Sequence, residues 1–424
     1  MKIIADLHIH SKYSRAVSPE MTFENISLWA QKKGIQVMGT GDFTHPQWFN
    51  DIKTKLEPAE GGLYKLATSH QTLATRFILT AEISLIYSKA GRARRIHHLV
   101  FAPSIEAVEK INTKLGWIGN LKSDGRPILG LDSKELLKII LDADPRCALV
   151  PAHAWTPWFS IFGSMSGFDS IEECFDEMSP HIFAIETGLS SDPAMNWRLS
   201  ALDKISLISN SDSHSLQKLG REANVFDCEL SYGGIIDAIK SKDPEKFLYT
   251  VEFFPEEGKY HYDGHRLCNV YFSPEETKKH NNLCPVCGKK ITVGVLNRVG
   301  ELSDRKKDEK PINAIPFKNL IPLDEIIGEA FGVGPKSKKV GEAYEKLVAG
   351  LGGEFNVLID ASYDDIKKAS NERIAEAIRR VREGKVNIRP GYDGEYGKIS
   401  IFREKEEINP LRQLADGGLQ STLF

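Results

Sequence analysis

The segment Asp6-Leu-His8-Ile-His10-Ser-Lys-Tyr-Ser14 places two imidazoles two residues apart in an apolar run of Ile3, Ile4, Leu7 and Ile9. On an extended strand residues i and i+2 share a face, so His8 and His10 read as half of a metal site. Asp212 and His214, in Ser209-Asn-Ser-Asp-Ser-His214, repeat that spacing. A hydrolytic metal cluster needs neutral bases and carboxylates, and a carboxylate can bridge two ions. His8, His10, Glu82 and Asp212 supply such a set for one ion. His153 and one of His97 and His98 supply a second, with Glu82 bridging. His97 and His98 are adjacent on a strand, so one alone faces the site, and His97 is preferred. Asp42, His45 and His214 are available for a third ion. Histidine-rich donor sets suit zinc, manganese or iron better than magnesium.

The elements that must hold these residues are legible as alternating apolar runs and amphipathic stretches. Strands are expected over 2–9, 35–40, 76–83, 96–102, 148–152, 183–186 and 206–209, with helices over 23–33, 105–115, 133–141 and 234–241. About seven such repeats predict a parallel, barrel-like α/β fold, in which active residues sit at the carboxyl ends of strands. The candidate ligands fall at those ends.

The chain of 424 residues is 41% hydrophobic and 27% charged, with a net charge of -3. That is an ordinary globular composition, and it leaves any nucleic-acid contact to local patches. No apolar run approaches membrane-spanning length, and His8 and His10 interrupt any secretory leader pattern. A cytoplasmic monomer without membrane contact is expected. The six cysteines suggest no disulfide framework.

Cys284-Pro-Val-Cys287-Gly is a knuckle of the zinc-ribbon kind, and His265-Arg-Leu-Cys268 offers a second pair at the same spacing. Together they provide four ligands for a structural zinc, with His261 or His280 as replacements for His265. The run Glu301–Lys310 reads as a solvated connector. Residues 320–385 read as helical, with apolar stripes at Leu323, Ile326, Ile327, Phe331 and at Tyr344, Leu347, Val348, Leu351. Between the stripes lies a Gly-rich turn with Lys336, Lys338 and Lys339, a candidate contact for a DNA backbone. The chain ends Gly-Gly-Leu-Gln420-Ser-Thr-Leu423-Phe424, where Gln420, Leu423 and Phe424 fit a short peptide anchored on one turn.

The residues DLHIHSKYS, TGDFTH, AEIS, HHLVF, PAHAW and SNSDSH resemble the motifs of the PHP (polymerase and histidinol phosphatase) superfamily. That resemblance implies a distorted (β/α)7 barrel with a trinuclear metal centre. The usual Thr-Asp-His of the second motif reads Gly41-Asp42-Phe43, which leaves the third metal to Asp42 or His45. The stretches ETGLSSDPAMNWRLS, DGHRLC, CPVCGKKITVGVLNRV and PGYDGEYGKIS extend the likeness to the endonuclease Q family. This second resemblance implies a DNA-repair endonuclease that nicks 5′ of uracil, hypoxanthine or xanthine and at abasic sites. Zinc is expected at both the cysteine cluster and the active site, with magnesium or manganese as alternatives in the active site. The C-terminal peptide resembles those that dock on sliding clamps. The expected division is a catalytic barrel over 1–255, a zinc module over 256–300, a helical DNA-binding domain over 301–410 and a flexible tail over 411–424.

Selecting a damaged base requires a pocket, into which the nucleotide is expected to flip. Phe43, Trp48, Trp155 and Trp158 are candidates to stack on DNA, and Asp192 is a candidate catalytic acid/base or substrate-positioning group. A small-molecule phosphatase and a non-catalytic DNA-binding scaffold are the rival readings. The zinc module and lysine-rich turn disfavour the first, and the nearly complete ligand set disfavours the second.

Overall fold

Short apolar runs form the strands, and most of the amphipathic stretches between them begin with a polar cap. In the computed structural model, which describes residues 1–67 and 75–403, Ser104, Asp132 and Ser231 each accept a backbone N–H from the first turn of the helix that follows. The strands that matter for the site are β1 (Lys2–Asp6), β2 (Val37–Gly39), β3 (Leu56–Pro58), β4 (Tyr64–Leu66), β5 (Arg76–Lys89), β6 (Arg92–Ala102), β7 (Ile128–Leu129), β8 (Ala148–Pro151), β9 (Ala184–Glu186), β10 (Ser206–Ile208), β11 (Ala223–Asp227) and β12 (Phe247–Glu252).

The main sheet is mixed, where the sequence suggested parallel pairing. Strand β1 lies parallel to β2 and antiparallel to β11, and β2 lies parallel to β5. The long strands β5 and β6 form an antiparallel hairpin from Leu79↔Ala102 to Lys89↔Arg92, and β6 continues antiparallel to β8. Ala90 and Gly91, both with positive φ, make the two-residue turn between them. No helix intervenes there, which is why a βαβ pattern fails at this point. Strands β9 and β10 form a separate parallel pair. Strands β11 and β12 are antiparallel neighbours, and neither was anticipated from the sequence.

Phe43, Trp48 and Trp155 are fully buried. Trp48 stacks on Phe23 at 4.1 Å. These three belong to the core and do not offer a face to DNA. Trp158 is partly exposed and meets Tyr260 edge-on.

The region after residue 255 contains small paired strands around the cysteines and then four helices, Leu323–Phe331, Lys338–Leu351, Tyr363–Ala369 and Glu372–Arg382. Their apolar stripes are turned inward, with Ile326, Ile327, Val340, Leu347, Ile374 and Ile378 all buried. Glu354 fastens this group to the N-terminal part. It accepts from Lys33 Nζ at 2.8 Å, Tyr344 OH at 2.6 Å and the Leu323 amide at 3.1 Å. The charged run at 301–310 is less free than its composition suggests, because Arg305 grips Asp203 with both terminal nitrogens at 2.5 Å. Lys336, Lys338 and Lys339 are exposed. Among the described residues no helix is long and apolar enough to cross a membrane. Gln420, Leu423 and Phe424 lie outside the described residues.

Candidate metal centre

One buried carboxylate organises the site. Glu82 projects from the middle of β5, 1% exposed, and its two oxygens face two groups of histidines. Glu82 Oε2 lies 3.0 Å from His10 Nε2 and 3.5 Å from His8 Nε2. Glu82 Oε1 lies 2.6 Å from His97 Nδ1 and 3.1 Å from His153 Nε2. Asp212 Oδ1 closes the first group, 3.1 Å from His10 Nε2 and 3.8 Å from His8 Nε2. The structure thus assembles His8, His10, Glu82 and Asp212 in one group and Glu82, His97 and His153 in another, with donor atoms mutually within 4.8 Å.

The donor atoms fit cations. His8 Nε2, His10 Nε2 and Asp212 Oδ1 are buried without any hydrogen-bond partner. Leaving three such atoms unsatisfied costs about 1–3 kcal/mol each. An ion drawn into their shared focus removes that cost. Burial opposes ionisation of Glu82, yet Arg126 and His97 outweigh it and hold the carboxyl well below its usual range.

Further residues fix the orientation of these donors. His8 Nδ1 lies 3.0 Å from Glu186 Oε1, and His10 Nδ1 lies 2.9 Å from Asp42 Oδ1. A carboxylate on Nδ1 sets the tautomer with its proton there and leaves the Nε2 lone pair for a metal. Glu186 also accepts the His153 amide at 2.8 Å and the Asn210 side-chain amide at 2.9 Å. Asn210 in turn accepts the Leu7 amide at 2.9 Å. Asp6 accepts the amides of Ser211 and Gly220 at 3.0 and 2.8 Å, and so anchors the segment that carries Asp212. Asp42, His153 and Asp212 all have positive φ, at 49°, 30° and 45°. Strain of this kind persists only where surrounding contacts impose it, as they do at all three positions.

Several candidates sit elsewhere. Asp42 is committed to His10 and, through its other oxygen, to the Ser11 amide and the hydroxyls of Ser11 and Ser14, at 2.6–2.9 Å. It positions a ligand and joins neither group. His45 stacks on Tyr13 at 4.5 Å and also joins neither group. The i, i+2 argument fails for Asp212 and His214, because the left-handed backbone at Asp212 breaks the strand alternation. His214 Nδ1 turns back to the Asp212 carbonyl at 2.9 Å. Of the adjacent pair, His97 faces Glu82, and His98 reaches Ser133 Oγ at 2.8 Å on the opposite side. Asp192 caps the short helix Pro193–Asn196, accepting the Met195 amide at 2.8 Å, and joins neither metal group. Asp192 instead lines a cavity of about 510 Å³ with Arg198, Glu256, His261, Tyr262 and Lys307. Glu186, Arg126 and Asn210 were missed. Glu186 ends the apolar run Phe-Ala-Ile-Glu much as Glu82 follows Leu-Thr-Ala, and that parallel was available in the sequence.

A second cluster gathers His265, Cys268, Cys284 and Cys287. The knuckle closes through Gly288, φ 72°, whose amide donates to the Cys284 carbonyl at 2.8 Å. Burial pushes the Cys284 thiol up, but the amides of Cys287 and Val286 and the side chain of His265 outweigh it and bring it to about 6. A thiolate at neutral pH is the form that binds metal. His280 stacks on Phe272 and His261 is buried beside the cavity, so neither replaces His265.

The fold and these clusters define a mixed α/β protein with candidate metal-binding groups, in which Glu82 and His97 lie within long strands and His8, His10, His153 and Asp212 just beyond strand ends. Its C-terminal helices, residues 322–385, match the family described as the MJ0043 C-terminal domain. The chain is 39% identical over 261 residues to MJ0043 of Methanocaldococcus jannaschii, covering 60% of this chain and only 32% of that longer protein. It is 30% identical over 415 residues to YqxK of Bacillus subtilis, covering 94% of this chain and 99% of YqxK. Among solved structures it is similar to the lesion-specific endonuclease PfuEndoQ of Pyrococcus furiosus, with TM-score 0.85 and 34% identity over 97% of this chain and 99% of that one. It is equally similar to an endonuclease Q bound to a 27-mer duplex with an abasic lesion at the active site, with TM-score 0.84 and 34% identity over 97% of this chain and 100% of that one. The chain belongs to the endonuclease Q family.

Two measurements follow from this geometry. Asp42→Asn must turn an N–H toward either the Ser11 amide or His10. Metal affinity should then fall roughly 10- to 100-fold, with circular dichroism unchanged. Titration against a competing chelator reads this, and wild-type affinity would show that Asp42 does not position His10. For Asp192, burial pushes the carboxyl up to about 6 against the opposing Met195 amide. A raised acid contributes stability that is full below about pH 4 and is lost as pH rises through 6. Asp192→Asn keeps the cap acceptor and should therefore stabilise the protein by about 3 kcal/mol at pH 8 and not at pH 4. Urea unfolding at both pH values checks it, and equal effects would contradict the buried-acid account.

Proposed function

We propose that this chain is a lesion-specific DNA-repair endonuclease that hydrolyses a phosphodiester 5′ of deaminated bases and at abasic sites, using the metal groups joined by Glu82. The observation that carries the reading is the pair of donor groups sharing that one buried carboxylate, in a chain similar along 97% of its length to lesion-specific endonucleases. In this reading residues 1–255 form a PHP-type distorted (β/α)7 barrel, 256–300 a zinc-binding module and 301–410 a helical domain that contacts DNA. Residues 411–424 carry a peptide for a sliding clamp. The protein acts as a monomer on damaged duplex DNA. Zinc suits the His265, Cys268, Cys284, Cys287 cluster, and the histidine-rich active site suits zinc or manganese better than magnesium.

When bound, divalent ions lower the pKa of water and stabilise the attacking and leaving oxygens of the phosphodiester. His8, His10 and Asp212 hold one side of the site, His97 and His153 the other, and Glu82 fixes the spacing between them. Glu186 and Asp42 keep the protons of His8 and His10 on Nδ1. Asp42 and His214 lie against His10 or Asp212, and His45 lies against Tyr13; the three are candidates to shape a further ion's surroundings without belonging to either group. The cavity lined by Asp192, His261 and Lys307 has room for an extrahelical base, and Asp192, whose carboxyl burial raises to about 6, offers a polar group at its wall to read that base.

Wild-type protein should nick a labelled duplex with one deoxyuridine, and an excess of chelator should abolish it. Asp212→Asn should reduce nicking to the chelator-treated baseline while the fold persists. An undamaged duplex cut equally well, or cutting that survives chelation, would reject the reading. Deletion of residues 419–424 should leave metal content and nicking of short duplexes intact and abolish binding to a sliding clamp, because a short peptide concentrates its contact energy in Gln420, Leu423 and Phe424. Calorimetry of the truncated chain against the clamp decides this, and unchanged affinity would place the contact elsewhere.

A further inference from the structure

Arg126 is a cation set directly against the metal centre. Its Nη1 donates to Glu82 Oε2 at 2.9 Å, the same oxygen that approaches His8 and His10. Among the described residues its guanidinium makes no other hydrogen bond. Its side chain is 29% exposed, whereas Glu82 beneath it is fully buried. Of the five N–H donors that a guanidinium carries, one is held by Glu82, and the others are left for a ligand that enters the partly exposed side of the site.

The loop that presents Arg126 is locked. Gly125 donates its amide to the Tyr13 carbonyl at 3.1 Å and accepts from Thr44 Oγ1 at 3.3 Å. Asp124 accepts the amides of Arg126 and Arg15 at 3.1 and 3.4 Å. A Cβ on Gly125 would fall 2.2 Å from Ser14 Oγ and 2.3 Å from Asp42 Oδ2, so only glycine lets the loop lie against the carboxylate that positions His10. The guanidinium is thereby tied to the loops that carry His10 and Asp42. A metal centre gains nothing from a permanent cation beside its shared ligand, since the charge repels ions and competes for the carboxylate oxygen. The arrangement makes sense if an anion joins the site.

We infer that Arg126 binds a non-bridging oxygen of the scissile phosphate through its outward N–H groups while Glu82 holds it in place, an inference that rests on the phosphodiesterase reading above. In the hydrolysis, an oxygen from water bonds to phosphorus, one P–O ester bond breaks, and the departing oxygen takes a proton. Arg126 makes and breaks no covalent bond. It stabilises the charge that grows on the non-bridging oxygen, and its planar fork suits a phosphate better than an ammonium does.

The test compares wild type, Arg126→Gln and Arg126→Lys for metal content, for nicking at saturating lesion-containing DNA and for inhibition by inorganic phosphate. Arg126→Gln should keep its full metal content and bind metal no more weakly than wild type. Its turnover should fall about 100-fold, as when one preorganised donor to a transition state is removed. Inhibition by phosphate should weaken about tenfold or more with the loss of a charge-assisted hydrogen bond, and Arg126→Lys should recover part of it. Phosphate inhibition equal to wild type, or metal loss that accounts for the lost turnover, would overturn the inference and leave Arg126 as a support for Glu82. If wild type fails to nick lesion DNA, the functional reading fails. Phosphate binding, followed by calorimetry on the metal-loaded proteins, still decides the role of Arg126.

Discussion

The Glu82 carboxylate is the constraint on which the rest of the site depends. A carboxylate at 1% exposure is costly without compensation, and here both oxygens face imidazole nitrogens while Oε2 also accepts from Arg126. Its position on the long hairpin of β5 and β6 puts Glu82 opposite Leu99, two residues from His97 on the partner strand. The antiparallel pairing that departs from a simple parallel repeat therefore brings Glu82 and the second group together. A one-residue slip of that hairpin would put His98 in place of His97 and dismantle the group.

Around Glu82 the structure spends many polar residues on orientation. Glu186, Asp42, Asn210 and Asp6 touch no open space, being fully buried. Each instead satisfies a backbone amide, a ligand imidazole or another of these side chains. The left-handed backbone at Asp42, His153 and Asp212 lies in the same region. This pattern, in which local conformational preference yields to a network of fixed hydrogen bonds, is what a preorganised metal site requires. The second cluster sits on two tight turns, one closed by Gly288 and the other by Asn269, both with left-handed backbone.

The residues in contact with each other at the centre were largely legible because their types are rare in apolar runs. Glu82 interrupts an apolar strand, and His8, His10, His153 and Asp212 follow closely on the apolar runs of β1, β8 and β10. The sequence was less informative about which neighbours orient them. Asp42 was read as a ligand because a carboxylate near a metal motif looks the same whether it meets the ion or the imidazole behind it. Arg126 lies between elements, far along the chain from the motifs, and its role depends on the close approach that Gly125 allows. Strand order was the weakest inference: β6, β11 and β12 pair antiparallel, and apolar alternation carries no direction.

Anomalous diffraction from crystals soaked in manganese addresses the central claim directly. The account predicts at least two peaks flanking Glu82, one among His8, His10 and Asp212 beside Oε2, the other between His97 and His153 beside Oε1. A single peak away from Glu82, or ions held by Asp42 and His45 with Glu82 still bound only to Arg126, would contradict it.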